Sequence, residues 1–385
     1  MSTSTVPQPY AFLLAAEGLR LFGAGFFYLP LYLLAAEKAR APLEAVLPQT
    51  FLYAAGLASL LVGALLDRFE RRRVLVLTAL GQGFLTLALF PAPFLPLLYL
   101  LLLLLLFELL DRFRALAAGL YLRSLVPKEA YEGKLGRLSA LHFAADTLSD
   151  PVAGAAYARN PGLPPLLGGP LLFLSAFLYR RLPPAPPPKP GGPFRLREAF
   201  AGLGFLWNHP LLRRVFLIAR VHGLVHGATF ALLPLYTLRG LEAPAWVYGL
   251  LSGAWGLGAA AGALLLEKLL PLGRGNLARG SLLLLGAPLL GLTLLPPWPL
   301  AVGLLFLFGL GQQFWSLLVT SLLYRELPEE LVGRGMGGVG FVSSLLAPLG
   351  SLLGGALAGL ALPLPFLLAG ALLLGLVPLV GRGWR

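Results

Sequence analysis

Leucine-rich runs of about 20 residues, nearly free of charge, recur along the whole chain, and short clusters of arginine, proline and glycine separate them. A helix crossing a hydrocarbon layer roughly 30 Å thick needs runs of this length. A strand of a membrane barrel would alternate apolar and polar residues, and stretches such as Leu97 to Phe107 show no alternation. With the Pro/Gly breaks and charge clusters as punctuation, the pattern predicts helical spans near 10–35, 43–66, 74–92, 94–122, 136–157, 163–181, 211–237, 244–266, 276–295, 299–323, 335–359 and 361–381. That makes an all-α integral membrane protein with twelve transmembrane helices.

Composition agrees. Hydrophobic residues make up 57% of the 385 and charged residues 12%, more apolar surface than a water-soluble fold can hide. The net charge of +13 is not a nucleic-acid footprint, because the basic residues are spread over many short loops rather than gathered on one face. They are spread unevenly. Loops after even-numbered spans carry Arg68 and Arg71 to Arg73, then Arg123, Lys128, Lys134 and Arg137, a central group from Arg180 to Arg214, then Lys268, Arg274 and Arg279, and last Arg325 and Arg334. Odd loops hold Lys38, Arg40, Arg159 and Arg239. The positive-inside rule then predicts that both termini and every even loop are cytoplasmic. The opening "MSTSTVPQPY" has no cleavable-signal pattern, and the absence of cysteine excludes disulfide and thiol chemistry. Abundant arginine with scarce isoleucine and asparagine points to a GC-rich prokaryotic genome and a prokaryotic cytoplasmic membrane.

The chain is written twice. Shifted by about 200 residues, Asp67-Arg68 falls on Glu267-Lys268, Arg20 on Arg220, Gly133-Lys134 on Gly333-Arg334 and Gly154 on Gly354, while "LPLYLL" at 29–34 returns as "LPLYTL" at 233–238. Six spans precede the repeat point and six follow, so the halves share one orientation and are expected to be related by an axis along the membrane normal. Residues 1–182 form the first six-helix bundle and 211–385 the second. The Pro-rich stretch 183–210 between them reads as a cytoplasmic linker, with a short interfacial helix expected at 195–207.

"GALLDRFERRR" at 63–73 resembles the loop signature between helices 2 and 3 of the major facilitator superfamily, matched by Gly63, Asp67, Arg68, Arg71 and Arg72. Glu70 stands where that family usually has glycine. "VPKEAYEGKLGR" and "LPEELVGRGMGG" look like the loops before helices 5 and 11 of its bacterial efflux branch. The resemblance covers nearly the whole chain. It implies two rocking bundles, a central cavity lined by helices 1, 4, 7 and 10, and a cytoplasmic latch at the signature loop, which Glu267 and Lys268 repeat in the second half. Asp67 is expected at the negative C-terminal end of a helix, where it needs a cationic or helix-N-terminal partner.

Charges inside spans cost roughly 2.5–3.5 kcal/mol each at mid-helix, so they are expected to face an interior rather than lipid. The first span carries Glu17 and Arg20 one turn apart. The fourth carries Glu108, Asp111, Arg112 and Arg114, the fifth His142, Asp146 and Asp150, the seventh Arg220, His222 and His226, and the tenth Gln312, Gln313, Trp315 and Ser316. Arg20, Arg112, Arg220, His222, Gln312, Gln313 and Trp315 are the candidate substrate-binding residues. Arg112 also occupies the place of an arginine that drug/proton antiporters of the resembled family carry in helix 4. Proton coupling needs a buried acid or imidazole whose surroundings change between states, which selects Asp146 and Asp150, four residues apart, and then Glu108 and His226. The alternative for Glu17, Arg20 and the Asp111 to Arg114 group is a purely structural tie between helices.

Other chemistries fit less well. His222-x-x-x-His226 has metal-binding spacing, but four histidines and no cysteine leave too few ligands for a catalytic metal. No nucleophile elbow and no phosphate-binding loop occurs, so neither hydrolysis nor ATP drives the protein. The sequence thus implies no enzyme and no cofactor. By resemblance it implies a monomeric secondary active transporter, with proton-coupled efflux of small amphipathic compounds as the main expectation. A proton-coupled uptake permease for a small organic acid is the alternative within the class. A non-transporting receptor or lipid-moving scaffold is the alternative outside it.

Overall fold

The computed structural model describes residues 8–56, 62, 69–126, 128–184, 204, 207–326 and 332–380, except for side chains at 8, 128–133, 135, 136, 139, 143, 146, 267, 324 and 332–344. Among the described residues, twelve helices of nine residues or more follow one another in the predicted order. They are α1 (Gln8–Lys38), α2 (Leu47–Ala55), α3 (Arg71–Ala88), α4 (Leu97–Leu125), α5 (Lys128–Arg159), α6 (Leu163–Arg180), α7 (Pro210–Phe230), α8 (Ala245–Leu269), α9 (Arg274–Leu292), α10 (Trp298–Glu326), α11 (Val332–Leu360) and α12 (Leu364–Gly375). Six helical stretches, Pro9–Lys38, Leu163–Arg180, Pro210–Gly240, Ala245–Leu266, Arg274–Leu292 and Trp298–Leu323, are each long and apolar enough to cross a membrane.

Several bounds differ from the sequence pattern. The predicted second span begins with a separate turn, Pro42–Ala45, before α2, because Pro48 at the start of α2 cannot continue the preceding ladder. Helix α5 starts at Lys128 rather than 136, since its polar first turns are helical although not apolar. Past α7 the chain makes a short turn, Leu233–Leu235, and a π turn, Tyr236–Gly240, so the seventh apolar run is not one uniform helix. Apart from residues 204 and 207, the interfacial helix expected at 195–207 lies outside the described residues, as do the latch residues Gly63, Asp67 and Arg68.

The helices form two compact units. The first draws on Met1–Leu34 and Ala58–Phe194, the second on Ala35–Leu57 and Arg195–Arg385. The first core joins Leu13 and Ala16 of α1 to Leu75 of α3, Ala117 of α4 and Ala176 of α6. The second joins Ile218 of α7, Leu251 of α8, Leu285 of α9, Phe308 of α10 and Phe366 of α12. Large apolar side chains point outward as well, among them Leu77, Phe84, Leu98, Leu264, Leu353 and Leu360. Outward leucine and phenylalanine around a polar interior suit a lipid solvent. Inside, hydroxyls close their hydrogen bonds within their own helix: Thr78 on Val74 O at 2.7 Å, Thr86 on Gln82 O at 2.8 Å and Thr229 on Val225 O at 2.9 Å.

The segment 35–57 packs with the second unit. Thr50 of α2 and Ser351 of α11 share a hydrogen bond of 2.6 Å, and Arg239 donates to Ala39 O at 2.6 Å. Thr50→Val and Ser351→Ala are each expected to cost about 1 kcal/mol, the usual net value of one such bond. Thermal unfolding of the two single variants and the double variant checks this: the double should lose no more than either single.

Candidate functional site

In the first unit, sequence-distant charges meet in a closed network. Arg20 donates from Nη1 to Asp111 Oδ1 at 2.8 Å, and its Nε lies 3.7 Å from Glu17 Oε2. Arg114 reaches Glu17 Oε2 from Nη1 at 2.7 Å and Asp111 from Nε and Nη2 at 2.9 and 3.4 Å. Tyr179 of α6 donates to Glu17 Oε1 at 2.7 Å and Gln82 of α3 to Asp111 Oδ1 at 3.3 Å. The helical register explains the meeting: Glu17 and Arg20 share a face of α1, and Asp111 and Arg114 share a face of α4. Each carboxylate is thus held by arginine and by a neutral donor, which makes burying it tolerable.

One turn away on α4 the arrangement is thinner. Glu108 accepts from Tyr28 Oη at 2.5 Å and from Arg112 Nη2 at 3.1 Å. The Arg112 side chain is 30% exposed, against 3% for Arg20 and 7% for Arg114. Glu108 therefore has a single arginine partner, and that partner sits at the edge of the network. Three carboxylates and three arginines (Glu17, Glu108, Asp111; Arg20, Arg112, Arg114) balance within the interior. Asp150 is half-buried on α5, one residue before Pro151 inside that helix, and His142 is exposed. The Asp146 side chain lies outside the described positions.

In the second unit the polar groups are sparser. Arg220 is buried, its guanidinium carbon 4.8 Å from the Phe216 ring centre. His222 Nε2 and Gln312 Oε1 are 2.6 Å apart, which joins α7 to α10. His226, one turn further, stacks on Phe230 with ring centres 4.2 Å apart, and Tyr53 and Trp255 flank it. Gln313 is half-buried, whereas Trp315 lies in the apolar core.

Around the signature loop, Glu70 precedes α3 and its carboxylate holds Arg72 Nε at 3.3 Å and Arg73 Nε at 2.9 Å. Arg71 donates to Leu120 O at 3.3 Å and Arg72 to Leu182 O at 3.1 Å, near the C-terminal ends of α4 and α6. Cations belong near the negative ends of helices, and the Leu182 carbonyl, past the end of α6, is free to accept. Glu70, which departs from the resembled signature, therefore orients Arg72 of that signature and the adjacent Arg73. Lys268 is exposed, and the Glu267 side chain lies outside the described positions.

The sequence pattern did not single out Tyr28, Tyr179 or Gln82, nor Tyr53, Phe230 and Trp255. In apolar runs a tyrosine or tryptophan looks like any lipid-facing ring. A polar tip at the depth of a known intramembrane acid was the available signal for Tyr28.

A helical membrane protein with two units, each burying polar and ionic side chains of its own, is the class that this fold and these sites define. Residues 22–351 match the sequence model of the Major Facilitator Superfamily, and the chain belongs to that family. Among curated proteins it is 30% identical over 298 residues to the enterobactin exporter EntS of Citrobacter koseri and 31% identical to that of Shigella flexneri, in each case over 71% of this chain. The match spans 66% of the length of those relatives. Among solved structures it resembles a POT family transporter in complex with 5-aminolevulinic acid (TM-score 0.77, 10% identity, 98% of this chain and 96% of the other). It also resembles a bacterial homologue of the iron transporter ferroportin in an inward-facing state (TM-score 0.70, 18% identity, 99% of each chain).

Proposed function

We propose that this protein is a secondary active transporter of a prokaryotic cytoplasmic membrane, exporting small amphipathic compounds in exchange for protons by alternating access. The observation that carries the reading is the contrast on α4 between Asp111, clamped by two arginines, and Glu108, held by one arginine and a tyrosine. Protonating Glu108 would release Arg112 while the rest of the network stayed paired, so one proton can change the charge offered to cargo. Glu108 is thus the described group best placed to carry the proton, with Asp146 and Asp150 on α5 as its partners in the relay. The exporter names of the curated relatives support the outward direction. Basic even-numbered loops support cytoplasmic termini. In this cycle the loop 63–73, with Glu267 and Lys268, acts as the cytoplasmic latch, and a single chain is the working unit.

Proteoliposomes containing a pH-sensitive dye test the proposal. Adding a panel of small amphipathic acids, bases and neutral compounds under an imposed pH gradient should make at least one compound drive proton movement. Glu108→Gln should reduce that movement to the level of protein-free liposomes while the purified variant keeps its melting temperature. Compound movement that ignores the gradient, or full coupling in Glu108→Gln, would overturn it.

A further inference from the structure

Inside the second unit, aromatic rings and unmatched polar atoms meet in one place. His226 stacks on Phe230 at 4.2 Å, Trp255 meets Phe230 edge-on at 5.3 Å, and both Tyr53 and Trp255 lie 6.4 Å from the imidazole. Three atoms of this cluster, Tyr53 Oη, His226 Nδ1 and Trp255 Nε1, are buried and have no hydrogen-bond partner among the described residues. An indole N–H can only donate, and a buried donor without an acceptor is disfavoured. Oxygen substituents of a ring stacked among them would give the indole N–H an acceptor and the imidazole nitrogen a partner.

The surrounding charge narrows the class. From residue 211 onward aspartate is absent, and glutamate occurs only at 242, 267, 326, 329 and 330, outside the middle of every span. The same helix that carries His226 brings buried Arg220, and the His222–Gln312 pair lies one turn away. The charged side chains of α7, which carries His226 and Phe230, are Arg213, Arg214 and Arg220, with no carboxylate among them. That excess of positive charge on the helix favours an anionic ligand over a cationic one.

We infer that Tyr53, His226, Phe230 and Trp255 form a subsite for a planar aromatic anion whose ring bears hydroxyl or carboxylate oxygens, with Trp255 Nε1 donating to one oxygen and His226 Nδ1 pairing with another. As part of a transport path this rests on the export reading; as a binding site it can be measured without flux.

Equilibrium dialysis of the full-length purified protein against labelled salicylate tests it, with cyclohexanecarboxylate (the same charge without the aromatic ring) and tyramine (a phenol bearing a cation) as competitors. Saturable salicylate binding is expected, with neither competitor displacing it. Trp255→Phe, which keeps a ring and removes the N–H, and Phe230→Leu, which removes a stacking face, should each weaken binding at least about tenfold. If one variant does not fold, the other decides. Displacement by tyramine as effective as by salicylate itself, unchanged affinity in the folded variants, or no saturable binding would overturn the assignment. Salicylate binding without any proton-coupled movement would remove the export reading and leave this site standing. Coupled movement of other compounds with no salicylate binding would do the reverse.

Discussion

Arg114→Leu is expected to leave little folded protein. Three of its N–H groups bond Glu17 and Asp111 at 2.7, 2.9 and 3.4 Å inside the first unit. Removing the guanidinium leaves Glu17 with Tyr179 and a distant Arg20, and Asp111 with Arg20 and Gln82. Breaking a buried pair from one side costs about 3–5 kcal/mol, because the remaining charge stays desolvated. That is a large part of the roughly 5–15 kcal/mol by which proteins are stable. Arg114→Lys should fall between: it keeps the charge, but a single ammonium cannot reproduce a planar fork reaching two carboxylates. Adding Glu17→Gln to Arg114→Leu should recover part of the loss by removing one orphaned charge. The yield of monodisperse protein and its melting temperature check all three. A melting temperature of Arg114→Leu close to the parent's would show that water reaches the network.

Gly309→Val is the second severe change. A Cβ on Gly309 would run into the Trp255 carbonyl, and one on Gly258 into the Phe306 carbonyl, so α8 and α10 cross backbone to backbone. No side-chain rotation relieves that clash, because the obstacle is main chain on both sides. Overpacking costs about 1–3 kcal/mol where neighbours can move, and more is expected here. Gly303, on the same helix, has nothing within 4 Å of its would-be Cβ. Gly303→Ala should therefore be neutral or stabilising by up to about 1 kcal/mol, since it favours helix. Melting curves of Gly309→Val, Gly258→Val and Gly303→Ala in one detergent separate crowding from helix propensity. Gly309→Val would also displace Trp255, so salicylate binding should fall along with stability.

The parts of this molecule that repeat along the chain were the parts legible in sequence. Apolar length alone predicts α8, α9 and α10 to within a few residues, because a lipid-spanning helix is defined by its own composition. The Glu17–Arg20 relation was also readable, being a matter of helical period. The Asp111 to Arg114 group was readable as one side of a tie between helices, but not its individual pairs: Asp111 and Arg114 are more than 90 residues away, and which charge on α4 meets which on α1 depends on packing. Tyr179, 162 residues from Glu17, carries no mark of its role. The turn at Pro42–Ala45 was hidden for the opposite reason, since apolar residues on both sides of Pro48 make two helical pieces look like one. His226 was read as a titrating group from its identity, while its rings and its unmatched Nδ1 place it in an aromatic setting that only three-dimensional neighbours define.

The lodging of residues 35–57 against α11 has a consequence for dissecting the gene. A cut in the Pro-rich stretch would give a first polypeptide that carries Leu43, Val46 and Thr50 without the Gly355 and Ser351 surfaces they rest on. Such fragments would need co-translation and mutual capture in the bilayer to become whole. A circular permutant that keeps 35–57 covalently joined to the later helices would retain that seat.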